Sequence, residues 1–409
     1  MKLLHIVCAS VLVVGGLHAQ SSSKTFVPSD PPNAATSGAI SAGGFVYTSG
    51  ILADVRGDIT TQTQQVFEKL GGLLRKAGSS LDLVASVTVM LKNASDISAF
   101  DQVYRARFTG DLPTRTVYLS RNMARPGALV EIQMTAIANG GSRRAIAPAG
   151  WMKPDGPYSY GIQSGDTLFV SAIEPRNYKD FAAPVPKLEV WPSVQADVPA
   201  QVKTAIANAN EVLHAAGMSF SDAVTSRIAV RDGSESINGP MDATYRALSG
   251  PKGATRMRYR GGLLGPYEFQ VTLMAIKGAS PREVLIAPNA DGSPGREDPN
   301  ARFASAIRVG NRMFLSGTTA VKPDNIGDIN KQISELLTNV LGPQLKNGGF
   351  GFTDVVQTEV ELTDMSTLNG VDEMFRTFFP AGPPVRHIWG VNSLNHKDAL
   401  MEIGLMAVK

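Results

Sequence analysis

One pattern recurs three times with unchanged spacing, and it constrains the fold more than any composition figure does. An Asp is followed three positions later by Tyr or Phe and then Arg, and a second Arg stands fourteen positions after the Asp. The copies are Asp101-Tyr104-Arg105-Arg115, Asp242-Tyr245-Arg246-Arg256 and Asp372-Phe375-Arg376-Arg386. Self-similarity at a long period marks one supersecondary unit copied along the chain. Three copies in 409 residues leave about 110–130 residues each, the size of an independent domain.

Other local patterns recur in step. Apolar runs end in Ser-Gly or Ser-Ala, namely Phe45 to Gly50, Leu168 to Ala172 and Met313 to Gly317, each after a turn pair such as Gly43-Gly44. Aromatic and β-branched enrichment behind a turn predicts the second strand of a hairpin. Helical stripes follow: Val66, Leu70, Leu73-Leu74; then Val202, Ile206, Ala209, Leu213; then Ile333, Leu336-Leu337, Val340. Such spacing gives each helix one buried face. Gly78 and Gly217 mark the first two C-termini, and Gly342-Pro343 follows the third stripe. Partly alternating strands, at Val87 to Leu91, Ile228 to Arg231 and Glu359 to Leu362, suggest a half-buried sheet. A second helix and last strands near Val130, Phe269 and Met401 complete an α+β unit of the form ββαβαββ. The expected divisions are 24–139, 145–277 and 284–409, with an insertion at 174–200 in the second unit that reads as a surface loop or lid.

Composition narrows the function. The net charge is +3 and no long run of one sign occurs, which argues against nucleic acid or anionic lipid as the dominant partner. Cys8 is the only cysteine, so a disulfide framework and a cysteine metal site are excluded. Residues 1–19 read as a secretory signal peptide, with Lys2, an apolar stretch from Ile6 to Leu17, and Leu17-His18-Ala19 at the cleavage point. The expected location is therefore periplasmic or secreted, with no membrane association after the leader is removed. His214, His387 and His396 have no spacing that suggests a metal site or triad, and each reads as a surface or packed side chain.

Each last Arg of the pattern opens a strand after a Gly/Pro turn. From there its guanidinium fork can hold a carboxylate through two parallel hydrogen bonds. With Pro157-Tyr158-Ser159, Ala77-Gly78 before Ser80-Leu81-Asp82, Pro113 to Thr116, Val130-Glu131-Ile132 and Met401-Glu402-Ile403, the chain resembles the RidA (YjgF) proteins, in triplicate. The resemblance implies a chorismate-mutase-like fold. The three repeats would form an intramolecular pseudo-trimer around a central β-barrel, the chain acting as a monomer, with a pocket at each junction. It implies that Arg115, Arg256 and Arg386 grip the carboxylate of a 2-imino acid while water attacks the imine carbon, without a cofactor or metal. Glu131 and Glu402 match the family's pocket glutamate, and the second copy has Gln270. The family's entrance Tyr matches only Tyr158, where the other copies have Thr36 and Phe303. Gly50 and Gly317 at the strand ends complete the expected pocket walls.

Glu131 and Glu402 can orient or deprotonate water, whereas Gln270 can hydrogen-bond but not take a proton, so the Gln270 copy is expected to be weakest; with the Tyr158 that the resemblance supplies, Glu131 and Glu402 form the expected catalytic set. Competing readings remain open. The arginines can serve only as inter-repeat ion pairs, and Tyr104, Tyr245 and Phe375 as core residues. The chain can also be a non-catalytic binder of small carboxylate metabolites that uses the same pockets.

Overall fold

The computed structural model describes residues 24–54, 56–120, 122–183, 198–231, 235–249, 253–288, 293, 295 and 301–409. The expected leader with Cys8, most of the 174–200 insertion and part of the linker before the third unit lie outside these residues.

The first sheet contains β1 (Thr25–Asn33), β2 (Thr36–Ala42), β3 (Phe45–Thr48), β4 (Ile51–Leu52), β5 (Val84–Leu91), β6 (Thr114–Leu119) and β7 (Val130–Ile137), with helices α1 (Ile59–Lys76) and α2 (Ile97–Ala106). The second contains β8 (Arg144–Ile146), β9 (Gly161–Ser164), β10 (Thr167–Ile173), β11 (Ala223–Arg231), β12 (Thr255–Gly261) and β13 (Phe269–Ile276), with α3 (Val198–Ala215) and α4 (Glu235–Ser249). The third contains β14 (Arg282–Leu285), β15 (Ala306–Val309), β16 (Arg312–Thr318), β17 (Val355–Leu362), β18 (Val385–Gly390) and β19 (Met401–Val408), with α5 (Ile329–Glu335), α6 (Gly342–Asn347) and α7 (Leu368–Phe378).

All three sheets share one topology. The orders are β1-β2-β3-β7-β5-β6, β8-β9-β10-β13-β11-β12 and β14-β15-β16-β19-β17-β18. The last pair in each is parallel, since a helix crosses between its two strands. The stripes read from the sequence face these sheets: Val66, Leu70 and Leu74 on α1 and Val202, Ala209 and Leu213 on α3 are fully buried. Asp58 caps α1 by accepting the Thr61 N–H at 2.8 Å, and Gly78 just past the end has φ +81°, a conformation that favours glycine.

Three expectations need correction. The strands are not half-buried: every residue of β17 is buried, because helices cover one face and the other sheets cover the opposite one. The third long helix does not stop at Gly342-Pro343. A π-helical turn at Leu336–Leu341 leads into α6, where Pro343 occupies a first-turn position that needs no N–H donor. A closed central β-barrel is also absent from the described residues, whose ladders form three separate sheets. Among these residues only isolated backbone bonds cross between units, such as the Leu119–Gly262 bridge and those of the Pro113 and Pro384 carbonyls, which accept the Ser159 and Ser37 N–H groups at 3.1 and 3.3 Å. The sheets instead share an apolar core containing Ile40, Phe45, Phe169, Ile276, Phe314 and Met406, with the Phe45 and Phe169 rings 5.6 Å apart.

Candidate functional site

The bulges build the site. In β10 the two residues Ser171-Ala172 stand against one residue of β13, and in β16 Ser316-Gly317 stand against one residue of β19. Ser49-Gly50 separate β3 from β4 in the same way. Each serine leaves the ladder and turns to the neighbouring unit. Ser171 Oγ donates to Ser159 O (2.6 Å) and accepts the Arg115 backbone N–H (2.9 Å). Ser316 joins Ala304 O (2.6 Å) to the Arg256 N–H (2.9 Å), and Ser49 joins Ser37 O (2.6 Å) to the Arg386 N–H (2.9 Å). The strand-start arginine of one unit is thus seated by a serine of the next, around a ring of three. The sequence showed the Ser-Gly strand ends but not this serine role, because the bonded partners lie in different units.

Each guanidinium pairs with the Asp of its own pattern. Arg115 bonds Asp101, Arg256 bonds Asp242 at 2.8 Å, and Arg386 bonds Asp372. The pairs lie within units and fix the helix to the edge strand, which corrects the reading of them as inter-repeat bridges. Tyr104, Tyr245 and Phe375 are fully buried core residues, as expected, and stack near the same guanidinium groups.

The three junctions then diverge. Where the first unit meets the second, a cavity of about 300 Å³ is lined by Asp101, Arg115, Asp155, Tyr158, Glu174, Arg176, Tyr267 and Gln270, among others. The Arg115 guanidinium lies 5.2 and 5.7 Å from the ring centroids of Tyr104 and Tyr158. Gln270 lines this cavity, and its amide nitrogen is buried with no hydrogen-bond partner.

Where the third unit meets the first, Glu131 packs directly onto Gly50: a Cβ at Gly50 would lie 1.9 Å from Glu131 Oε1. Gly50 therefore serves the close approach of the carboxyl. Glu131 also lies 3.3 Å from His387 Nε2. Burial pushes the Glu131 carboxyl up to about 8 against the pull of Arg386, and burial pushes His387 down to about 3, with Arg227 adding to the effect. Near neutrality both are uncharged.

Where the second unit meets the third, Gly317 is pressed in the same way against Glu402 and Met257. Phe303 covers the Arg256 guanidinium at 4.2 Å, and Arg302 bonds the other oxygen of Asp242 at 2.5 Å. Glu402 faces Glu361 across the ladder; burial raises both carboxyls, and their mutual repulsion keeps a proton on the pair. Arg256 borders a central cavity of only about 80 Å³. The structure thus gathers the expected residues into three separate groups, and the roomy one contains Gln270 rather than Glu131 or Glu402.

Sequence reasoning missed Glu174, which lies at the start of the insertion and outside every repeated pattern. Its backbone is anchored by the Tyr178 hydroxyl, which accepts its N–H at 2.9 Å, and by Asn208, which donates to its carbonyl at 3.1 Å. His214 and His396 are exposed, His387 is packed, and no group of three metal-binding side chains occurs among the described residues. No helix there is long and apolar enough to cross a membrane.

Known proteins resemble the chain one unit at a time. The family model described as endoribonuclease L-PSP matches residues 29–138 and 295–409, more than half of the chain. A RutC family protein of Pyrococcus horikoshii is 36% identical over 132 residues, covering 31% of this chain and 98% of that protein. The human 2-iminobutanoate/2-iminopropanoate deaminase is 29% identical over 132 residues, covering 31% of this chain and 90% of the relative. The crystal structure of yeast Mmf1 is 26% identical with a TM-score of 0.27, covering 29% of this chain and all of that one. The residues between the two matched segments form a sheet of the same strand order. With its two matched segments on either side of that sheet, the chain belongs to the endoribonuclease L-PSP family, the RidA (YjgF) proteins.

Proposed function

We propose that this chain hydrolyses 2-imino acids, or related small imine carboxylates, to 2-oxo acids and ammonia. The reaction is assigned to the junction of the first and second units, with the three units acting as an intramolecular pseudo-trimer and the chain exported by its leader. The observation that carries this reading is the cavity of about 300 Å³ beside Arg115, large enough for a small carboxylate and bordered by that cation and by Tyr158, whose ring lies 5.7 Å from the guanidinium. Relatives that carry the name 2-iminobutanoate/2-iminopropanoate deaminase support the reaction class.

Arg115 shares its charge between Asp101 and the substrate carboxylate, and the free Gln270 amide donates a second hydrogen bond. Tyr158 closes one side of the cavity, with its hydroxyl 3.4 Å from Asp155 Oδ1. Held by its carboxylate, the substrate presents C2 to water at a fixed distance, which removes much of the entropic cost of a bimolecular attack.

The test is an imino acid formed in situ by an amino-acid oxidase, with release of the oxo acid followed with and without the protein. Acceleration that is lost in Arg115→Ala is expected. Carboxylate binding without acceleration would make the chain a binder instead.

A further inference from the structure

The cavity beside Arg115 lacks a glutamate at the last-strand position, yet it does not lack a carboxyl. In the first sheet the ladder pairs Leu52 with Glu131. In the second the pairing ends at Ile173 with Val271, and Glu174 and Gln270 are the next residues along the two segments. In the third it ends at Thr318 with Ile403, and Thr319 and Glu402 come next. Residues that continue an antiparallel register point to the same face, and Glu174 and Gln270 do line one cavity.

From this we infer that the acid–base carboxyl of this pocket has moved across the ladder, from the last strand to Glu174, and that Glu174 is a catalytic residue of the proposed hydrolysis. The inference rests on the function proposed above.

Ala172 explains the move. At the equivalent bulge position Gly50 leaves room for Glu131 Oε1, where a Cβ would sit only 1.9 Å away. Ala172 carries that Cβ, so a side chain at 270 cannot adopt the packing of Glu131, and the carboxyl beside Gln270 in the cavity comes from Glu174. The groups facing Glu174 are Arg176 (Nη1 to Oε2, 3.6 Å), Asp155, which bonds Arg176 at 2.7 Å, and the Tyr267 hydroxyl; Tyr178 holds its backbone, and Arg115, Asp101 and Tyr158 line the cavity beyond. Burial, with Asp155 adding to it, raises the carboxyl to about 7 against the opposing pull of Arg176 and Tyr267. A group that exchanges a proton near neutrality suits both halves of the reaction.

The step balances without an oxidant or reductant. The Glu174 carboxylate takes a proton from water as the water oxygen bonds to C2. The C=N electron pair moves to nitrogen, which takes a proton from solvent, giving a 2-amino-2-hydroxy acid. The protonated Glu174 then returns its proton to nitrogen, the C–N bond breaks as ammonia departs, and the hydroxyl releases its proton to solvent, leaving the 2-oxo acid and the Glu174 carboxylate.

The experiment compares the wild-type chain with Glu174→Gln, which keeps size and hydrogen bonding but cannot take up a proton. For the wild type, kcat/KM rises with pH to a plateau above neutrality. In the variant it is expected to fall roughly 100-fold and lose that limb. A variant that keeps the full rate, or keeps the limb, overturns the inference while leaving the proposed function intact. A second readout needs no turnover: calorimetric titration with 2-oxobutanoate on either side of neutrality. Affinity weakens as pH rises in the wild type, because the ionised Glu174 repels the ligand carboxylate, and it is flat in Glu174→Gln. If the wild type fails to accelerate imine hydrolysis, the proposed function falls. The catalytic role falls with it, and the titration then decides only whether Glu174 ionises beside the ligand: a pH step that persists in the variant removes Glu174 from the ligand.

Discussion

The junctions at Arg115 and at Arg386 are built from the same parts, yet one encloses a cavity and the other buries a carboxyl. Both seat the arginine on a bulge serine and tie it to a helix Asp. The difference starts with one atom. Gly50 admits the Glu131 carboxyl, which packs against it and His387, whereas Ala172 bars that arrangement and the space beyond it stays open, lined by Gln270 and Glu174. A repeated scaffold thus sets where a functional cation sits, while a small residue at a bulge sets whether a ligand can reach it.

The largest effect that would break this contrast is on activity. Arg115→Ala removes a charge-assisted pair worth about 1.5–3 kcal/mol, so kcat/KM for imine hydrolysis is expected to drop roughly 10- to 150-fold. Arg386→Ala is expected to keep activity within about two-fold and to lower thermal stability instead, since it leaves Asp372 without its bonded cation. Equal losses of activity in both variants would show that the junctions work alike.

A smaller effect tests the role of glycine. Gly50→Ala forces the Glu131 carboxyl out of a packed site and is expected to destabilise the chain by about 1–3 kcal/mol in denaturant unfolding. The reverse change in the open junction, Ala172→Gly, is expected to cost less than about 1 kcal/mol.

The pH dependence of stability sharpens the comparison further. Folded Glu131 keeps its proton up to about pH 8, while the unfolded chain releases it near 4.5, so the native state binds more protons in between. Its contribution is full below 4.5 and is lost as pH rises toward 8. His387 acts oppositely: its folded value of about 3 lies below the ordinary 6.5, so stability falls as pH drops through that interval. Glu131→Gln is expected to make the decline between 4.5 and 8 shallower in melting-temperature scans, the remainder coming from the raised carboxyls of Glu174, Glu361 and Glu402; an unchanged decline would remove Glu131 from the titrating groups.

Much of this was legible in the sequence because it repeats locally. The Asp-to-Arg interval, the helical stripes and the Ser-Gly strand ends each follow from short-range patterning, and Arg115, Arg256 and Arg386 do occupy matching places. That the copies differ was legible as well, from Gln270, Thr36 and Phe303; which junction keeps an open cavity was not. Whether Glu131 meets a cavity or a histidine depends on a contact between units far apart in the chain, as does the covering of Arg256 by Phe303. Glu174 was hidden for a different reason: it falls outside the repeat, at the head of an insertion, and only the folded chain brings it to the cavity that Gln270 lines. The π-helical turn before Pro343 was equally silent, because apolar spacing cannot distinguish a continued helix from an ended one.

The account turns on one junction out of three receiving the ligand. Calorimetric titration of 2-oxobutanoate into the whole chain measures this directly through its stoichiometry. One site per chain, abolished by Arg115→Ala and retained in Arg256→Ala and Arg386→Ala, is the predicted result. Three equivalent sites, or a single site that survives Arg115→Ala, would contradict it.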